Sequence, residues 1–130
     1  MTLFGRRVLF SSPKSRDVLI FDECNSQHIR RVINKKYSVG VFNMRPKDIF
    51  LGIGVIVQFS KELLNFSLEE VRKNHRGFLY GVFKQIYYRY LKACLEFVKP
   101  KAIITFIDNS STFGWLAKHC DNFPFMAIQN

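Results

Sequence analysis

Four short apolar runs punctuate the chain, and three of them end at acidic or amide side chains. Val18-Leu19-Ile20-Phe21 stops at Asp22-Glu23, Ala102 to Ile107 stops at Asp108-Asn109, and Phe125 to Ile128 stops at Gln129-Asn130. The first two unbroken runs mark strands covered on both faces, as in a parallel sheet flanked by helices, and the third reads as a further strand. A further strand, Ser38 to Asn43, ends at Met44-Arg45-Pro46, where proline removes a ladder donor.

Helical spacing fills the intervals. After Asn25 or Ser26 as cap, Ile29, Val32 and Ile33 lie on one side, while Arg30, Arg31, Lys35 and Lys36 turn outward. Gly77 to Lys99 is the clearest periodic segment and predicts a helix of about six turns. Leu79, Val82, Phe83, Ile86, Tyr87, Tyr90, Leu91, Cys94, Leu95 and Val98 form its inner stripe; Gln85, Arg89, Lys92, Glu96 and Lys99 form its outer one. Ser67-Leu68-Glu69-Glu70 has the capping-box pattern, and Ser110, Ser111 or Thr112 caps a short helix carrying Phe113, Trp115, Leu116 and Ala117. Asp48 to Ser60 mixes β-branched residues with helical length and reads better as helix. Residues 1–16, with Gly5, Pro13 and four basic side chains, read as a basic leading arm.

The expectation is an α/β fold: a Rossmann-like parallel sheet of about four strands spanning residues 17–130, with helices on both faces. The last strand has no crossover helix after it, which reads as an incomplete domain.

A composition with 48% apolar and 15% aromatic residues supports a packed core at a length of 130 residues. The net charge of +10 is concentrated at the front: the first 47 residues hold ten bases and three acids. Such a balance favours anionic partners: nucleic acid, a phospholipid surface or a phosphorylated small molecule. Cys24, Cys94 and Cys120 form no CxxC pair, so no zinc ribbon or redox motif is written here and a reducing compartment fits. The most apolar stretch, Ile49 to Phe59, is far shorter than the roughly 20 residues that span a bilayer as a helix. His28, His75 and His119 are too scattered for a metal site, and neither G-x-G-x-x-G nor a P-loop occurs.

Ligands of open α/β sheets settle beyond the carboxyl ends of the strands. The sequence puts Asp22 and Glu23, Asn43 and Arg45, Asp108, Asn109 and Ser110, and Gln129 and Asn130 at those ends. A carboxylate there accepts a proton from an attacking hydroxyl, holds a sugar hydroxyl pair, or caps the next helix. Tyr80, Tyr87, Tyr88 and Tyr90 among Lys84, Arg89 and Lys92 suit base stacking or a lipid headgroup layer, as well as an ordinary aromatic core helix.

The run Lys99-Pro100-Lys101-Ala102-Ile103-Ile104-Thr105-Phe106-Ile107-Asp108-Asn109, then Ala127-Ile128-Gln129-Asn130, resembles a bacterial surface-carbohydrate biosynthesis family. Pro13-Lys14 and Val18 to Asp22 resemble its opening strand. Members are similar to GT-B glycosyltransferases, so the resemblance implies the acceptor-side half of such a protein, inactive alone, whose missing C-terminal half binds a nucleotide-sugar donor. It implies work on the cytoplasmic side of the membrane, and the basic front and aromatic helix would suit peripheral attachment at the inner membrane surface through anionic lipid or a lipid-linked saccharide acceptor. Asp108 is then the candidate base, and Asp22, Asn109, Ser110, Gln129 and Asn130 are candidate substrate ligands. No metal and no cofactor bound by this half are expected.

Two rivals remain. A phosphorylation receiver would use Asp22-Glu23 and Asp108, but their 86-residue separation and the missing lysine after a fifth strand oppose it. A non-catalytic basic module binding nucleic acid or another polyanion fits the charge, without a helix-turn-helix, RRM or zinc-finger pattern.

Overall fold

Short apolar runs separated by polar breaks build strands too brief to stand alone, so each must find a partner in a sheet. The computed structural model describes residues 2–3, 5–21, 26–42, 48–66, 68–72, 77–106 and 110–128. In chain order the elements are β1 (Thr2–Leu3), β2 (Arg6–Leu9), β3 (Val18–Ile20), α1 (Ser26–Val32), β4 (Val39–Val41), β5 (Asp48–Phe50), α2 (Ile53–Leu64), α3 (Leu68–Arg72), α4 (Phe78–Val98), β6 (Ala102–Thr105), α5 (Ser111–His119) and β7 (Phe125–Ala127). Two sheets result. The larger has the order β4-β3-β6-β7, parallel throughout; the smaller has the order β1-β2-β5, with β2 and β5 parallel and β1 antiparallel to β2.

The core lies between the larger sheet and the helices α4 and α5. Alternation along a strand sends Leu19 and Phe21 to one face, where they meet Leu91, Leu95 and Val98 of α4, Ile103 of β6, and Phe113 and Leu116 of α5. Val18 and Ile20 fall on the other face and are also buried, which accounts for the unbroken apolar character of this central strand. Helix α4 ends where Lys99 adopts a left-handed conformation (φ 51°), its N–H bonding the Leu95 carbonyl, immediately before Pro100.

Three sequence expectations are corrected. Residues 1–16 are not a detached arm. Val8 is buried and β2 pairs with β5 in the register Arg7↔Asp48, where the two side chains form an ion pair at 2.8 Å. The doubled arginine masks a short strand with one inward residue. The segment from Asp48 to Ser60 is neither all strand nor all helix: it is β5, an extended two-residue link at Leu51-Gly52, then α2. Thirdly, the outer stripe assigned to α4 is only partly outward. Gln85 (8% exposed) and Arg89 (5%) are buried because α2 and α3 pack on that side, whereas Leu79 (71%) and Phe83 (69%) face outward. The capping serine proposed before α3, Ser67, lies outside the described residues.

At the amino edge of the larger sheet one carboxylate ties three strands together. Asp17, just before β3, accepts from the Ser38 N–H (2.8 Å) and hydroxyl (2.7 Å) ahead of β4, and pairs with the Lys101 ammonium (2.8 Å) ahead of β6. Its backbone takes part as well, the Lys101 N–H donating to the Asp17 carbonyl at 2.7 Å. The Lys101 bond and the two Ser38 bonds hold the Asp17 carboxyl far below the ordinary aspartate range. A folded-state pKa below the unfolded one adds stability that is complete above the unfolded value and is lost as pH falls toward the folded one. Below about pH 4, urea midpoints of the wild type should therefore fall more steeply than those of Asp17→Asn. Parallel pH profiles for the two proteins would refute this role.

Gly52 marks the closest approach between the link into α2 and the segment after β2. A methyl group there would meet the Ser12 hydroxyl, the Ser12 nitrogen at 2.7 Å and the Ser11 carbonyl carbon at 2.8 Å. The backbone cannot yield as a side chain would, so Gly52→Ala should cost about 1–3 kcal/mol in chemical denaturation. An unchanged denaturation midpoint would show that the link relaxes freely.

Candidate functional site

Because all four strands of the larger sheet run the same way, their carboxyl ends share one edge. The register sets Ile20 beside Val41 and Ile104, and Thr105 beside Ala127. Pairing continues one residue further: Phe21 donates to Ile104, Phe42 to Ile20 and Ile128 to Thr105, each bond 2.8 Å. The chain leaves β3 toward β4 on one side, while β6 lies on the other, so the order reverses between β3 and β6. In open α/β sheets such a reversal is the usual place for a ligand crevice, because connections there diverge to opposite faces.

Phe21 is fully buried and touches Phe42 (ring centroids 5.9 Å apart) and Phe113 (5.6 Å), and Phe113 meets Phe125 at 5.3 Å. These aromatic rings lie next to the strand ends and stiffen the backbone there.

Of the residues proposed from sequence, Ser110 is described. It is the cap of α5, its hydroxyl accepting from the Phe113 N–H at 3.3 Å, which is the capping role weighed for this segment. Asp22, Asp108, Asn109, Gln129 and Asn130 lie outside the described residues, as do Glu23, Asn43 and Arg45. In sequence Asp22 directly follows Phe21, and Ser110 directly follows Asn109.

The start of α5 is joined to α4 by groups that sequence reasoning left in a generic aromatic helix. The Tyr88 hydroxyl lies 3.1 Å from the Ser111 hydroxyl, the Lys84 ammonium stands 5.4 Å from the Tyr88 ring centroid, and Trp115 packs on Tyr88 at 5.2 Å. The clustered tyrosines of this helix were the available signal. Only folding reveals which one reaches α5.

A second polar group is buried between α2 and α4. Glu62 pairs with Lys92 at 3.0 Å, and the Arg89 guanidinium donates to the Glu62 carbonyl at 3.4 Å while standing over Phe66 (5.6 Å) and Trp115 (5.8 Å). Trp115 stacks on His119 at 4.0 Å, and His119 Nδ1 lies 2.7 Å from the Trp115 carbonyl, a contact that requires the proton on Nδ1.

Both described thiols are buried, which favours their neutral form. Burial pushes Cys94 up to about 11 and Cys120 up to about 12, the negative charge of Glu96 adding to the latter. Among the described residues no group of three side chains is arranged to hold a metal ion, and no helix is long and apolar enough to cross a membrane. Comparison of the chain with protein-family models, curated proteins and solved structures finds no match.

A buried charge left without its partner is costlier than a removed pair. Glu62→Ala should thus destabilise the fold by about 3–5 kcal/mol, and adding Lys92→Met should recover a large part of that loss. A single substitution costing less than about 1 kcal/mol in urea would mean that water already reaches the pair.

Proposed function

We propose that the chain is the acceptor-side half of a glycosyltransferase-like protein of bacterial surface-polysaccharide assembly, a Rossmann-like half of GT-B kind working at the cytoplasmic face of the membrane. The observation that carries this reading is the all-parallel order β4-β3-β6-β7, with its reversal between β3 and β6. That edge is where sugar hydroxyls would meet the polar residues following each strand in the sequence. Asp108, after β6, would take the proton of the acceptor hydroxyl as its oxygen attacks the anomeric carbon. The new C–O bond forms as the bond to the nucleoside diphosphate breaks, and the leaving group departs with the electron pair. Asp22, Asn109, Ser110, Gln129 and Asn130 would hold acceptor hydroxyls. The nucleotide-sugar donor would sit mainly on a second half of the enzyme, so the present chain alone would be inactive.

The exposed bases of and after α1, Arg30, Arg31, Lys35 and Lys36, favour a second reading, a polyanion-binding module without catalysis. The two readings separate in one NMR titration of the chain. Short-chain prenyl-pyrophosphate saccharides should shift the amides of Phe21, Phe42, Ser110 and Ile128, and inorganic pyrophosphate alone should not. Shifts confined to residues 30–36, matched by heparin and DNA alike, would replace the transferase with the polyanion module. In the protein carrying its donor half, Asp108→Asn should lower transfer by about 10²–10⁴-fold with unfolding unchanged. Wild-type turnover would remove Asp108 from the mechanism.

A further inference from the structure

On the side of α4 away from α5, a cavity of about 270 Å³ opens between β5, α2 and α4. Ile49 of β5, Val55 and Phe59 of α2 and Ile86 of α4 are among its walls. The outward-facing Ile56 and Phe83 also line it, so the slot continues into an apolar surface. Its polar groups are few. The Tyr90 hydroxyl is committed to the Phe50 peptide, accepting from its N–H at 2.7 Å and donating to its carbonyl at 3.3 Å. Burial raises the Tyr90 phenol well above its ordinary range, so it is a neutral wall.

Arg6 is the cation of the lining. Its guanidinium stands 5.7 Å from the Tyr87 ring centroid, and among the described residues it makes no ion pair, whereas neighbouring Arg7 is neutralised by Asp48.

We propose that this slot binds a single-chain anionic amphiphile, its hydrocarbon tail between β5, α2 and α4 and its phosphate or carboxylate head on Arg6. The chemistry of the walls selects this class. A peptide strand or a nucleobase would bring many N–H and C=O groups into a mostly apolar lining that, Arg6 apart, offers few partners for them, and each unmet group weakens binding. A hydrocarbon tail brings none, and each CH₂ it buries adds affinity. The cavity is also smaller than the roughly 300–1,000 Å³ of drug-sized pockets, which suits one narrow chain rather than a ring system or a partner helix. The site is separate from the carboxyl edge of the larger sheet and stands whether or not the transferase reading does.

The test uses the 130-residue chain with decyl phosphate, decanol and inorganic phosphate, each kept monomeric, followed by calorimetry and by amide shifts of β5, α2 and α4. Decyl phosphate should bind at least tenfold more tightly than decanol, and inorganic phosphate should leave these amides unmoved. Ile56→Trp, a substitution at an exposed helix position, should weaken decyl phosphate at least tenfold by filling the slot. Arg6→Gln should bring decyl phosphate and decanol to equal affinity. Circular-dichroism melts of both variants should remain cooperative, and should Arg6→Gln unfold, the Ile56→Trp arm decides. Equal affinity for decanol and decyl phosphate in the wild type, or undiminished binding by Ile56→Trp, would overturn the proposal. Binding only to phosphatidylglycerol vesicles, with no monomer bound, would make the face a bilayer contact instead. Sedimentation showing a dimer that decyl phosphate fails to dissociate would assign the surface to a second copy of the chain.

Discussion

Covering β3 and β6 is the constraint on which the remainder of the fold depends. Two parallel neighbours separated by about 80 residues cannot be joined by a turn, so the intervening chain must supply both the crossover and the layer that shields them. Helix α4 does this with Leu91, Leu95 and Val98 against Leu19 and Ile103. Each such side chain gains about 1.5–3 kcal/mol on burial, enough in sum to fix the position of the helix. That position then dictates a cost on its other side. With α2 and α3 packed there, Gln85 and Arg89 are taken out of water, and Arg89 finds compensation in the Glu62 carbonyl and in the rings of Phe66 and Trp115. A buried ion pair contributes little net stability but fixes which residues face one another. The Glu62–Lys92 contact thus acts on the register of α2 against α4 more than on the total free energy.

The two edges of the larger sheet are built from different chemistry. Its amino edge is closed by charge-assisted hydrogen bonds from Asp17 to Ser38 and Lys101, short and directional, which hold β3, β4 and β6 in register. Its carboxyl edge is supported by aromatic packing of Phe21, Phe42, Phe113 and Phe125, contacts that tolerate small displacements. Polar bonds thus lock one end of the sheet, and packed rings support the other.

The parallel sheet was legible because its strands are short unbroken apolar runs, and the order of apolar run and helical period admits few topologies. Other parts required contacts that no local window contains. Arg6 to Leu9 looks like a charged arm until β5 supplies its partner. Asp48 to Ser60 contains both a strand and the start of a helix, and the break falls at Gly52 because the backbone of Ser11 and Ser12 lies against it. The outer stripe of α4 was misjudged because periodicity reports one buried face, and this helix has neighbours on several. At the carboxyl edge the role of Ser110 as a cap followed from its position before an apolar period, but the aromatic contacts beneath the strand ends did not, since the four phenylalanines come from distant segments. The contact of Tyr88 of α4 with the start of α5, and the slot bounded by Arg6, Ile56 and Tyr87, are likewise tertiary features, each drawing on separate stretches of chain.

The excess positive charge does not by itself choose among anionic partners. Asp17, Asp48 and Glu62 are engaged with Lys101, Arg7 and Lys92, so much of the described acidity is spent internally and, Arg89 apart, the remaining described bases reach the surface. Their field attracts any polyanion, yet at physiological ionic strength it decays over about 8 Å, and discrimination must come from contacts shorter than that. At this range the surface offers two different things. Around α1 it offers exposed, hydrated cations, suited to a diffuse counterion atmosphere. Between β2, α2 and α4 it offers one guanidinium beside an apolar slot, where affinity scales with buried hydrocarbon and the charge only selects the head group. A partner that is merely anionic gains nothing from the second arrangement, so the apolar walls, and not the net charge of the chain, decide what is retained there.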